Sequence, residues 1–276
     1  MNLESKKIPV KIQIASDLNI DLNFKDKYIE QKSNILCLAG NICPCGSDSG
    51  FQMFKDFILK ECISFKIIIF VAGNREFYSN ELISIGDIKR KLKSLEKEIP
   101  NFVFLNDEAL SLNMESRSIV FIGTTLWTHI PDYNQKIAKQ YINDYSSINV
   151  SSEIFINKKI KKLVRHLNVG DTQFLHENAK SFISSTIKDF ENKENTQIVL
   201  VTHHKPIQDL YSHYNPYMQY TFQSNLINLI THPVVLAIHG NTNEAYDKTI
   251  NNVRFLSNPY GFSKNIAYNN SLCVEI

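Results

Sequence analysis

Short apolar runs recur along the chain, each stopped by a small or polar cluster. Residues 12–15, 35–39, 67–72, 198–201 and 234–238 are built mostly from Ile, Val, Leu, Ala and Phe. Their length and β-branched content predict strands. Between the second and third runs, Phe51, Phe54, Phe57 and Ile58 recur at helical spacing, which predicts a helix over 51–64 crossing between two strands. A second helix is expected over 80–98, opened by a capping-type Ser79/Asn80, carrying a Lys/Glu-rich outer face and ended by Pro100. Short strands are expected at 102–105 and 119–125, helices at 133–143 and 222–230, and closing strands at 253–256 and 272–276. Residues 151–194 are charged and lack strand signals, so they read as a mostly helical insertion or cap beside the sheet. No internal repeat interrupts the chain. Alternating strands and helices followed by a strand-rich half predict one layered α/β domain over residues 1–276.

Composition narrows the functional classes. At 276 residues and 43% apolar content the chain can bury a sizeable core. Its 30 Lys+Arg against 28 Asp+Glu argue against a general nucleic-acid role, although a basic stretch runs through Lys158, Lys159, Lys161, Lys162 and Arg165. That stretch reads first as a solvated helix face. Five cysteines make an odd count. Cys37 and Cys62 sit in apolar runs as core thiols, and Cys43-Pro44-Cys45 lacks a partner pair at zinc spacing and reads as an ordinary loop. The start has no apolar signal-type region and no stretch reaches membrane-spanning length. A cytoplasmic protein without membrane association is the simplest expectation.

Chemistry concentrates where the predicted strands end. Ser16-Asp17-Leu18-Asn19, Ala39-Gly40-Asn41, Gly73-Asn74-Arg75-Glu76, Thr202-His203-His204-Lys205-Pro206 and His239-Gly240-Asn241-Thr242-Asn243 each follow an apolar run. Open α/β sheets place ligands at such strand ends. In order and setting these segments resemble the calcineurin-like metallophosphoesterase family, whose pattern is D-x-H, G-D, G-N-H-[ED], H and G-H-x-H. The resemblance runs from about Lys11 to the C-terminus. It implies a layered sandwich of two mixed β-sheets flanked by helices, and two divalent metals at the strand ends. Carried across by position, Asp17, Asn74 and His203 are retained, with His204 the close competitor of His203. Asn19, Asn241 and Asn243 stand where the family has histidines, Asn41 where it has the metal-bridging aspartate, and Arg75 where it has the histidine that assists phosphate binding. Three of eight positions survive.

The cost of those replacements can be sized. Two divalent cations roughly 3.5–4 Å apart repel by about 18 kcal/mol at an effective dielectric of ~20. A bridging carboxylate offsets much of that, and the neutral amide of Asn41 does not. Asparagine oxygen is also a weaker, harder donor than imidazole, better suited to calcium or magnesium. The resemblance with these substitutions implies a protein whose dinuclear site has decayed and which acts by binding a phosphate-containing small molecule or a protein partner. No tightly bound cofactor is expected, and at most one manganese, magnesium or calcium ion held weakly. The alternative is a metal-dependent phosphoester hydrolase using one metal on Asp17, Asn74 and His203. Arg75 would then bind the phosphate, with His203 and His239 as further ligand-binding candidates, and His204 or His239 would donate the proton. Arg75 is expected to lie in the crevice and pair with Asp17.

Overall fold

The computed structural model describes residues 9–23, 27–114, 116–156, 159–208, 219–262 and 267–276. In chain order its elements are β1 (Lys11–Ala15), β2 (Ile35–Leu38), α1 (Asp48–Phe57), β3 (Ile67–Phe70), α2 (Ile85–Ser94), β4 (Phe102–Phe104), β5 (Glu108–Asn113), β6 (Ser118–Thr124), α3 (Asp132–Tyr141), α4 (Asp144–Ser147), β7 (Asn149–Ile156), β8 (Lys159–His166), α5 (Val169–Phe190), β9 (Thr196–Thr202), β10 (Val234–Ile238), β11 (Tyr246–Ile250), β12 (Val253–Ser257) and β13 (Cys273–Glu275). They form two mixed sheets. One has the order β13-β1-β2-β3-β4, parallel except for the β1–β13 pair. The other has the order β11-β12-β10-β9-β6-β5, parallel at its centre and antiparallel at both edges.

Period-two alternation along the strands sorts the apolar side chains into layers. Ile12, Ile14, Ile35, Cys37 and Ile69 of the first sheet meet Phe121, Val199, Val201, Leu236 and Ile238 of the second, forming the core between the sheets. Leu36, Leu38, Ile68 and Phe70 face outward and are covered by Phe54 and Phe57 of α1 and Ile88 and Leu92 of α2. Val120, Ile122, Ile198 and Leu200 are covered in the same way by Ala179, Ile183 and Ile187 of α5. The result is a helix–sheet–sheet–helix sandwich with the parallel strands of both sheets ending at one side.

Several expectations are corrected. Residues 149–156 and 159–166 form the antiparallel strand pair β7–β8 rather than helix, and among the described residues of the 151–194 region only Val169–Phe190 is helical. The hairpin is held by tertiary contacts: Tyr78 bridges Ile148, Ser84 bridges Asn149, and Asn149 Nδ2 donates to Glu81 O at 2.9 Å. The basic stretch therefore lies on a strand, where Lys161, Lys162 and Arg165 are exposed; Lys158 falls outside the described residues. The second helix starts at Ser84, where Ser84 and Asp87 form a reciprocal capping box, rather than at Ser79/Asn80. Residues 222–230 are not helical. Ser224 N and Leu226 N donate to Lys205 O and Pro206 O, so the segment first runs along the loop after β9 and then makes a single turn. The edge strands β5 and β11 are not among the expected elements: β5 has only Leu110 and Leu112 alternating toward the core between the sheets, and β11 is largely polar. Among the described residues no helix is long and apolar enough to cross a membrane.

Candidate functional site

The turns that leave β1, β2 and β10 share one backbone feature. Asp17, Asn19, Asn41, Asn241 and Asn243 have φ between 45° and 65°, and Gly40 has φ 82°. This left-handed region is open to Gly and tolerated by Asn, Asp and His. The chain therefore turns sharply at these three strand ends, and the loops press close. A Cβ on Gly40 would lie 2.5 Å from both Gly73 N and His203 Nδ1, and one on Gly73 would lie 2.3 Å from Asn41 Oδ1. Glu76, fully buried, ties two loops together by accepting backbone N–H groups from Asn41 (2.9 Å), Ile42 (2.5 Å) and Gly73 (2.6 Å). Burial raises its carboxyl to about 7 against those donors.

Asp17, Asn19, Asn41, Asn74, Arg75, His203 and Asn241 are brought together here, as the motif order requires. Asp17 is buried, and burial raises its pKa to about 7. Its carboxylate accepts Asn41 Nδ2 at 3.2 Å and the Asn241 backbone N–H at 3.0 Å. The orientation of the Asn41 amide is determined by its other end, because Oδ1 accepts the Arg75 backbone N–H at 3.0 Å. Its N–H atoms must then face Asp17. A carboxylate at 41 would direct a lone pair to that point, and the amide directs a donor.

Arg75 is buried but does not pair with Asp17. Its Nη2 meets Asp21 Oδ2 at 2.8 Å and its Nη1 meets Asp21 Oδ1 at 3.3 Å, with a further donation from Nη1 to Asn19 Oδ1. The Phe262 ring lies over the guanidinium at 5.6 Å. Asp17 is satisfied by neutral donors instead, which suits a carboxyl that burial keeps partly protonated near neutral pH. Asp21 is a residue that motif reading missed, being two positions beyond the first motif and outside the family pattern.

His203, rather than His204, joins the cluster. Its Nδ1 lies 2.8 Å from Ala39 O and its Nε2 lies 3.1 Å from Asn74 Oδ1. Burial lowers its pKa to about 4, so the ring is neutral. With Nδ1–H given to Ala39, Nε2 presents a lone pair to the Asn74 amide. That amide is oriented by Asp144, which accepts Asn74 Nδ2 at 2.8 Å and the Tyr78 hydroxyl at 2.7 Å. Two acceptors, His203 Nε2 and Asn74 Oδ1, thus face each other. His204 turns away, with Nδ1 3.1 Å from Thr125 O and its ring 5.6 Å from that of Trp127. His239 is fully buried; Nδ1 lies 3.2 Å from Gly240 O, and Nε2 has no hydrogen-bond partner among the described residues. Burial lowers both pKa values to about 3. Asn243 lies on the turn beyond Asn241 and is half-buried.

These residues do not fit a pair of divalent cations. Among the described residues no three His, Cys, Asp or Glu side chains gather as a cation cage. Position 41, where the resemblance expects a bridging carboxylate, offers N–H, and the cluster's permanent charge is a guanidinium.

No family model matches the chain. An uncharacterized protein of Acanthamoeba polyphaga mimivirus is 25% identical over 223 residues, spanning 77% of this chain and 74% of that protein. Among solved structures, phosphopantetheinyl hydrolase (PptH) from Mycobacterium tuberculosis superposes with a TM-score of 0.68 at 14% identity, covering 92% of this chain and 90% of its own. GAP50, the anchor in the inner membrane complex of Plasmodium, superposes at 0.52 with 12% identity, covering 95% and 77%. The calcineurin-like phosphoesterase YfkN from Bacillus subtilis aligns at 0.47 with 11% identity, covering 98% and 90%. The superpositions at TM-scores of 0.68 and 0.52 are likenesses of fold alone.

Proposed function

We propose that this chain, which has the calcineurin-like phosphoesterase fold, has left two-metal hydrolysis and acts by binding, with a phosphate-containing small molecule or a protein partner as its ligand. One observation carries the reading: Asn41 Nδ2 donates to Asp17 at 3.2 Å while Asn41 Oδ1 is committed to the Arg75 N–H at 3.0 Å. The place where a bridging anion would hold two cations is closed by an internal hydrogen bond. Without a metal-bound hydroxide there is no strong nucleophile at neutral pH. Buried histidines held neutral, with pKa values of about 3 to 4, are also poor proton donors. A binding role has a counterpart among proteins of similar fold, since GAP50 of Plasmodium is named as an anchor.

The test is elemental analysis after loading with manganese or zinc and desalting, together with turnover of aryl phosphate mono- and diesters. Less than one metal per chain and background turnover are expected. Two retained metals, or manganese-dependent turnover abolished by Asp17→Ala, would overturn the proposal. A second reading is favoured by His203 Nε2 and Asn74 Oδ1, two acceptors 3.1 Å apart. One weakly held cation shared with Asp17 would satisfy both lone pairs. Retention of a single equivalent, lost in His203→Ala, supports that mononuclear reading.

A further inference from the structure

We infer that the opposite end of the sandwich carries a second binding site, for a free anionic amphiphile: a carboxylate head on an apolar chain, as in a medium-chain fatty acid. A groove of about 1120 Å³ opens there, lined by the residues that begin β1, β2 and β3 and by those that join β5 to β6. The candidate functional site lies at the other ends of these parallel strands. The groove is on the scale of pockets that take small organic ligands, roughly 300–1,000 Å³.

Its floor is a window onto the core between the sheets. Val10, Ile67 and Leu112 line it, and each packs against that core while remaining only partly buried. Met114 adds a side chain that is 40% exposed. Its rim is cationic, with Lys11, Lys32, Lys66 and Arg117 and no acidic side chain among the described lining residues. The chain as a whole carries a net charge of only +2, so this clustering does not reflect general basicity. Two of the four cations are committed: Lys32 pairs with Glu30 at 2.5 Å, and Arg117 donates to Gln197 Oε1 at 2.7 Å and Ile276 O at 3.0 Å. Lys11 and Lys66 are exposed. They are the groups placed to meet an anionic head while an apolar chain covers the window. A nucleic acid would leave the apolar floor uncovered, and a bilayer surface meets protruding residues rather than a recess.

The test is calorimetric titration of the full chain at low ionic strength with decanoate below its micelle concentration. Decanol serves as the neutral counterpart and inorganic phosphate as the bare anion, with flotation on anionic phospholipid vesicles in parallel. One decanoate per chain is expected, weakened by salt because the head contacts are electrostatic. The double variant Lys11→Glu/Lys66→Glu should weaken it by roughly tenfold or more, since reversal replaces two attractions by repulsions. Lys136→Glu, an exposed charge on α3, should leave it unchanged. Should the reversal variant fail to fold, Lys11→Gln/Lys66→Gln removes the same charges more gently. Equal binding of decanol, equal binding of phosphate alone, vesicle capture without decanoate binding, or undiminished binding by a folded double variant would each overturn the inference.

Discussion

At position 41 the chemistry turns on one functional group. An amide in place of a carboxylate keeps the shape, adds donors and removes a charge, and the donor side faces Asp17 at 3.2 Å. Asn41→Asp would place two buried carboxyls in contact, so that one must hold a proton. We expect this variant to melt lower than the parent above pH 7, and manganese to recover the loss; thermal melts with and without the metal decide it. Asp17→Asn makes the reverse case. Because burial raises Asp17 to about 7, its charge is a burden at pH 8 and absent at pH 5. The variant should gain melting temperature over the parent on going from pH 5 to pH 8, and an unchanged difference would remove Asp17 from the titration. Asn19, Asn241 and Asn243, which the resemblance sets at histidine positions, have their own logic. Asn and His both tolerate the left-handed φ of residues 19, 241 and 243, so an imidazole can be lost while the turn survives. Motif order made this cluster legible in the sequence. The pairing of Arg75 with Asp21 was not legible, because it depends on where two loops 54 residues apart come to rest.

Elements were legible where the signal is local. The parallel strands stand near their expected places because an unbroken β-branched run is their whole signature. The region 151–194 failed because a solvated two-stranded hairpin and a solvated helix face present the same charged composition. Tyr78, Ser84 and Asn149 decide between them through long-range bridges. Ser84 serves both roles, capping α2 and bridging to β7. Its replacement by alanine should cost about 1–2 kcal/mol, toward the upper end of an N-cap loss, measured by denaturant unfolding. Glu76 ties together the loops after β2 and β3. Glu76→Gln keeps the size but cannot satisfy three backbone donors, so a loss on the order of 2–4 kcal/mol is expected in the same measurement.

For the whole molecule, buried titratable groups shape stability against pH. Asp17 and Glu76 are raised to about 7 by burial, so the stability they contribute is full below about pH 4 and is lost as pH rises through 7. His203, His204 and His239 are lowered to between about 3 and 4, so their contribution is full above about pH 6.5 and is lost as pH falls toward those values. The two proton balances oppose each other between about pH 4 and 7, so the melting temperature should peak near neutral pH. A calorimetric series from pH 4 to 9 checks it, and a monotonic rise into the alkaline range would contradict these burial effects.

The sequence by itself determined the strand-to-loop rhythm, the order of the five motifs and the residue types able to turn sharply at the ends of β1, β2 and β10. Each of these follows from short-range rules: alternation, apolar run length, and the steric tolerance of Gly, Asn and Asp. Only the tertiary structure decided which partner each polar group takes: neutral donors for Asp17, Asp21 for Arg75, the Ala39 carbonyl for His203 Nδ1, and three backbone amides for Glu76. In a buried crevice every donor and acceptor must be matched locally, and the set of neighbours available for matching exists only once the loops from both sheets have converged.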